Sequence, residues 1–190
     1  MGAFEHVMTL VSFVLALQIT HLLITVVEIV RAGERVRLSW IHAGWMAVGL
    51  MNAVGWWIGL WDYHGIAEWP IGSVFYNLTA VLVGFLSVAF MCPKVPEEKP
   101  LDLWEFHLAH RKQYIGLVMV STMLAVGEEF YYGNVYGVAA QNLQAFISLA
   151  FLPFELAGFL SPNIWVQRVS VVVALLGSVA FFVFGEPVLK

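Results

Sequence analysis

The chain has 190 residues, of which 61% are hydrophobic and only 12% charged, with a net charge of −4 and a mean hydropathy of +0.82. Soluble domains carry about twice that charged fraction, so a water-soluble fold of this length would leave apolar surface it cannot hide. The nine Lys and Arg form no long basic tract, which excludes nucleic acid as a partner, and the single Cys92 excludes an internal disulfide.

Residues 1–6 lack a basic n-region, and the apolar run that follows is too long for a signal peptide, so a retained first helix is expected over Phe4–Val30. Further runs of spanning length cover Ser39–Trp61, Gly72–Met91, Tyr114–Phe130, Val138–Leu160 and Ile164–Phe184. The breaks carry turn and breaker residues: Gly33, Gly65, Trp69-Pro70, Pro93 to Pro100, Gly133-Asn134 and Ser161-Pro162-Asn163. The fold class expected is therefore all-α: one integral membrane helical bundle of six transmembrane helices in a single domain, residues 1–190.

Orientation follows from the positive charges. Arg31, Arg35 and Arg37 fall in the first connection, Lys94, Lys99, Arg111 and Lys112 around the third, and Arg168 just after the fifth. The second and fourth connections hold only acids, Asp62 and Glu68, then Glu128 and Glu129. The odd connections are expected in the cytoplasm and both termini outside. Trp56, Trp57, Trp61 and Trp69 suit the outer interface, and Trp40, Trp104 and Trp165 the inner one. Leu101–Lys112 mixes apolar and charged residues and is expected as a short interfacial helix before the fourth span.

Polar groups inside the runs are the functional candidates, because ionisable side chains are expensive in a bilayer. Gln18, His21, Thr25 and Glu28 follow a 3-4-3 spacing, and Gln141, Gln144, Ser148 and Glu155 a 3-4-7 spacing, each placing its members on one helical face. The two runs would be parallel, with Glu28 and Glu155 at similar depth near the cytoplasmic side. His42 and Asn52 are expected to contribute, and Asn77 and Ser87 to join the same interior. A face of this kind suits a route or site for a small solute or a proton. Amides and hydroxyls also bridge helices in inert bundles. Ser87-Val88-Ala89-Phe90 and Ser178-Val179-Ala180-Phe181 end the third and sixth runs alike, a faint trace of two inverted halves.

Enzymatic motifs are weaker. Glu128-Glu129 is similar to the paired glutamates of CAAX-type intramembrane proteases, but Gly133 stands where that motif has Arg, and no His follows His110. His107 and His110 are too few for a desaturase-like metal site and are expected as solvated headgroup-level residues. No Lys lies inside a run, which excludes a retinal Schiff base. No cofactor is expected, with haem on His21 or a quinone as the redox alternative.

The stretch Arg31 to Asp62, with Ser39-Trp40-Ile41-His42, Trp56-Trp57 and Trp61-Asp62, followed by a helix running into His110-Arg111-Lys112, is similar to a broad group of small polytopic bacterial membrane proteins. The resemblance implies a multi-pass protein of the inner membrane and supplies no catalytic residue. Two readings stand beside the solute or proton route: an accessory subunit or assembly factor of a larger membrane complex, and a haem- or quinone-binding redox protein. The partners expected are the lipid bilayer and either further copies of the chain, as a homo-oligomer, or a larger membrane complex.

Overall fold

A computed structural model describes residues 2–66, 68–135 and 145–184. The architecture is all-helical: α1 Ala3–Ala32, α2 Trp40–Gly59, α3 Ile71–Met91, α4 Leu103–Val135, α5 Leu152–Leu160 and α6 Ile164–Phe184. Three helices are long and apolar enough to cross a membrane: Phe4–Arg35, Ile71–Met91 and Ile164–Val183. Large apolar side chains face outward along them, including Phe13 and Leu17 on α1, Phe75 and Phe90 on α3, and Leu176 and Val183 on α6. Such a surface suits lipid rather than water.

The helix ends follow from local chemistry. No Gly or Pro interrupts Ala3–Ala32, Glu5 accepts from the Gly2 amide at 3.0 Å, and Gly33 closes the helix at φ +55°, where a Cβ would be strained. Asp102 caps α4 by accepting from the amides of Trp104 at 2.7 Å and Glu105 at 3.2 Å. Asn163 accepts from the Trp165 amide at 2.9 Å at the start of α6.

A two-residue parallel bridge joins the first and third connections, with Val36 opposite Leu101 and Arg37 opposite Asp102. This bridge ties the basic ends of α1 and α4 together, and two packed clusters fill the bundle on either side of its middle. One gathers Ile41, Trp45, Met91, Leu103 and Tyr114, the other Val11, Leu15, Leu60, Val81 and Tyr132.

Two expected elements differ. The separate interfacial helix is absent: Leu101–Asp102 form the bridge, and the helix that starts at Leu103 runs unbroken to Val135. With Asp102 as cap and no breaker before Gly116, nothing ends the helix at the fourth span's edge. The expected fifth run is not one straight helix. Its residues 138–144 lie outside the described residues, 145–149 are helical, and a turn at 150–151 precedes α5. Pro153 has no amide to donate, so the chain tightens through Phe151 N to Ser148 O at 3.1 Å and restarts with proline in the first turn of α5.

Candidate functional site

The polar residues of the bundle converge on α4. Its Ser121 and Glu128, one heptad apart, face α3, while Thr122 and Glu129 face the broken helix on the other side. Thr122 Oγ1 donates to Glu155 Oε1 at 3.0 Å, and Ser148 Oγ reaches Glu129 Oε1 at 3.4 Å. On the opposite side Gln18 and Ser121 both approach Gly84 of α3, and Asn77 lies against Glu128. Tyr76 donates to the Leu124 carbonyl at 2.5 Å, pinning α3 to α4 beside Glu128.

This seam is unusual in its hydrogen-bond balance. Gln18 Oε1, Asn77 Oδ1, Glu128 Oε1, Glu129 Oε2 and Glu155 Oε2 are buried with no hydrogen-bond partner. Glu128 is 4% exposed and Glu155 6%. All five atoms are acceptors. Each carboxyl has a donor on its other oxygen only, and a buried ionised carboxylate with one donor and no counter-charge is strongly unfavourable, so such groups are neutralised by a proton or by a cation. The seam is thus short of positive charge in the form a proton or a small cation provides. From Thr122 to Glu129 is seven residues, roughly 10 Å along the helix axis, so the acids are stacked in depth.

The sequence candidates divide. Gln18 and Thr25 are buried, Thr25 donating to the His21 carbonyl at 3.1 Å and Gln18 reaching the Gly49 carbonyl at 3.4 Å. His21 and Glu28 are exposed on the outer face of α1, with the His21 ring 6.5 Å from that of Phe85. Ser148 and Glu155 join the seam, Gln141 and Gln144 lie outside the described residues, and Asn52 is half-buried on α2. Glu155 meets Thr122 of α4, while Glu28 lines a groove with Arg31 and Lys94 at the basic end. Ser87 is buried and bonds only within its own helix, donating to the Gly84 carbonyl at 2.7 Å.

Glu128 and Glu129 were expected in a loop. The signal that identifies them is the i, i+7 repeat Ser121–Glu128 and Thr122–Glu129, which keeps both acids in register with the interior of the run that ends at Phe130.

A second polar cluster lies at the basic end. His107, expected to be solvated, is fully buried: its ring stacks on Trp104 at 5.3 Å and approaches His42 at 6.3 Å. Gln167 Nε2 donates to the Gly158 carbonyl at 2.6 Å, which turns Gln167 Oε1 toward His107 Nε2 at 2.8 Å. That oxygen only accepts, so Nε2 carries the proton, and Nδ1 accepts from the Tyr114 hydroxyl. The network suits a neutral imidazole, and burial, with Arg111 nearby, pushes the His107 pKa down to about 4 against a smaller opposing pull from Gln167. His42 is fully buried beside it, and the Met91 backbone lies near its ring.

Among the described residues no group of three His, Cys, Asp or Glu is placed to hold a metal ion. No family model matches the chain, and no curated protein or solved structure is significantly similar to it.

Proposed function

We propose that this chain is a six-span protein of a bacterial inner membrane that binds or conducts protons or a small cation along the seam around α4. Glu155, Glu129 and Glu128 are the exchanging groups, and Gln18, Asn77, Thr122 and Ser148 order them. The observation that carries the reading is the set of five buried, partnerless acceptor oxygens from four segments of the chain. A packing seam of amides and hydroxyls would match donors to acceptors, and this one does not.

The discontinuity before α5 supports the same reading, since interrupted helices recur where membrane proteins bind ions. The topology proposed keeps the Arg- and Lys-rich connections in the cytoplasm and the termini outside, on the charge distribution along the chain. α2, at 20 residues, reaches roughly 30 Å and α4, at 33 residues, roughly 50 Å, enough for each to cross and for α4 to extend beyond the basic face.

Reconstitution into liposomes containing a pH-sensitive dye tests it. An imposed cation gradient with a proton gradient of opposite sign is expected to drive dye response in the wild type. The Glu129→Gln/Glu155→Gln double variant is expected to reduce the rate by at least about tenfold, as loss of a proton-transferring group does. A double variant as active as the wild type would sink the proposal.

A further inference from the structure

At the basic end of α1 a groove of about 380 Å³ is lined by Glu28, Arg31, Arg35, Lys94 and Glu97. Arg35 is held there through Nη1, which donates to the Glu97 carbonyl at 3.0 Å and lies 3.5 Å from that of Pro96. Among the described residues the ion pair within 4.0 Å is Arg37–Asp102. Three cations and two carboxylates therefore share one groove without pairing with each other.

A second groove of about 350 Å³ adjoins it, sharing Glu28 and Arg31 and continuing along α1 past Val27, Ile24, Leu23 and Thr20. From Arg31 to Thr20 is eleven residues, roughly 16 Å of helix and close to half the thickness of a bilayer's hydrocarbon core. The pair of grooves thus has a charged head and an apolar tail of one leaflet's depth.

We infer that the Glu28–Arg31–Arg35–Lys94–Glu97 groove and the apolar lane below it bind a phospholipid whose headgroup carries both a phosphate and a free amine. Arg31, Arg35 and Lys94 take the phosphate, with Arg35 already oriented by the Glu97 backbone. Glu28 and Glu97 take the ammonium, which three N–H donors fit and a methylated amine does not. An acyl chain lies along Val27, Ile24 and Leu23. A purely anionic headgroup would use the cations and leave both carboxylates facing its negative charge. The inference rests on the membrane reading above and is independent of the seam around α4.

The test is native mass spectrometry of the full chain in detergent with added phosphatidylethanolamine, phosphatidylcholine or phosphatidylglycerol. Phosphatidylethanolamine is expected to be retained in preference to both others. In Glu28→Gln/Glu97→Gln its preference over phosphatidylcholine disappears, and in Arg31→Gln/Lys94→Gln retention of all three falls, by about fivefold per charge removed. Equal retention of the ethanolamine and choline lipids by the wild type overturns the inference, as does a preference that survives the glutamate variant. Glycerophosphoethanolamine, which has the headgroup without chains, is expected to compete poorly; competition equal to the intact lipid's would assign a soluble phosphate site instead. All four substituted side chains are exposed, so the variants keep the fold. Alkaline washing of host membranes is read in parallel. A chain that washes off fails the membrane reading itself, whereas one that stays but does not discriminate fails only this inference.

Discussion

Thr122 in the middle of α4 donates its hydroxyl to Glu155 Oε1 at 3.0 Å, and the other oxygen of that carboxyl, Oε2, has no partner. One donor thus positions the acid, and the remaining oxygen is left for whatever the site binds. Glu155→Gln keeps an acceptor for Thr122 and removes the exchangeable group. It is expected to fold normally, with a melting temperature near the wild type's, while proton-coupled flux falls by at least about tenfold. Thr122→Val leaves the carboxyl without its donor and is expected to lower stability by about 1–3 kcal/mol. Melting in detergent and flux in liposomes, measured on both variants, separate positioning from exchange.

The turn before α5 is held by close packing on α6. A Cβ at Gly177 would lie 2.5 Å from Cε1 and Cζ of the Phe151 ring, which sits in the turn itself. A ring wedged between helices has little room to yield, so Gly177→Ala is expected to destabilise the protein by about 1–3 kcal/mol. Gly59 at the end of α2 has nothing within 4 Å of its added Cβ. Gly59→Ala is expected to be neutral or to stabilise by up to about 1 kcal/mol, the helix-propensity gain alone. Equal melting temperatures for the two variants would show that the turn is not packed as described.

Much of this fold could be read from the chain, and the misreadings have specific causes. Gly33, Pro93 and Ser161-Pro162 stop helices and Pro70 precedes the start of one, where backbone chemistry requires it, and the all-helical architecture follows from them with the long apolar runs. The candidate face on α1 was legible only in part. Its buried lane runs through Val11, Leu15, Gln18, Leu22, Thr25 and Ile29. At about 100° per residue His21 and Glu28 lie roughly 80–100° from the mean direction of that lane, which turns them out of the bundle. Spacing alone defines a polar stripe without saying which edge meets a neighbour. Glu128 and Glu129 were hidden because acids at the end of an apolar run read as part of the next connection, whereas the α4 helix continues to Val135. His107 was misread because Leu101–Lys112 is amphipathic in isolation; pairing of Val36 with Leu101 draws that segment against the bundle, where Tyr114 and Gln167 satisfy both ring nitrogens.

Asp102 has two partners, and they are separable. It forms the ion pair with Arg37 at 3.2 Å, whose guanidinium is 85% exposed, and it caps α4 through the Trp104 and Glu105 amides. The exposed pair is screened and weak, contributing at most about 1 kcal/mol, whereas the cap satisfies two orphan amides of a 33-residue helix. Asp102→Ala is expected to lower stability by about 1–2 kcal/mol. Asp102→Asn, which keeps the acceptor and loses the charge, is expected to resemble Arg37→Ala. If Asp102→Asn were as damaging as Asp102→Ala in thermal melts, the ion pair rather than the cap would be the larger contribution.

His107 makes stability depend on pH in a direction its surroundings fix. Burial is the main cause that brings its pKa from the ordinary 6.5 to about 4. His42, Tyr114 and Arg111 face it, none of them a carboxylate, and the Gln167 carbonyl accepts the one proton the neutral ring carries. The unfolded chain takes up a second ring proton below pH 6.5 and the folded chain does not until about 4. Stability from this residue is therefore complete above about 6.5 and lost as the pH falls through that window, with an upper bound of about 3 kcal/mol. The seam acids contribute equally to the wild type and to His107→Gln, so the readout is a difference between the two. In detergent melts between about pH 7.5 and 4.5 the wild type is expected to be more stable than His107→Gln at the upper end, where the variant lacks the ring that accepts from Tyr114, and to lose that advantage as the pH falls. Parallel pH profiles for the two proteins would show that protonation of His107 is not coupled to folding.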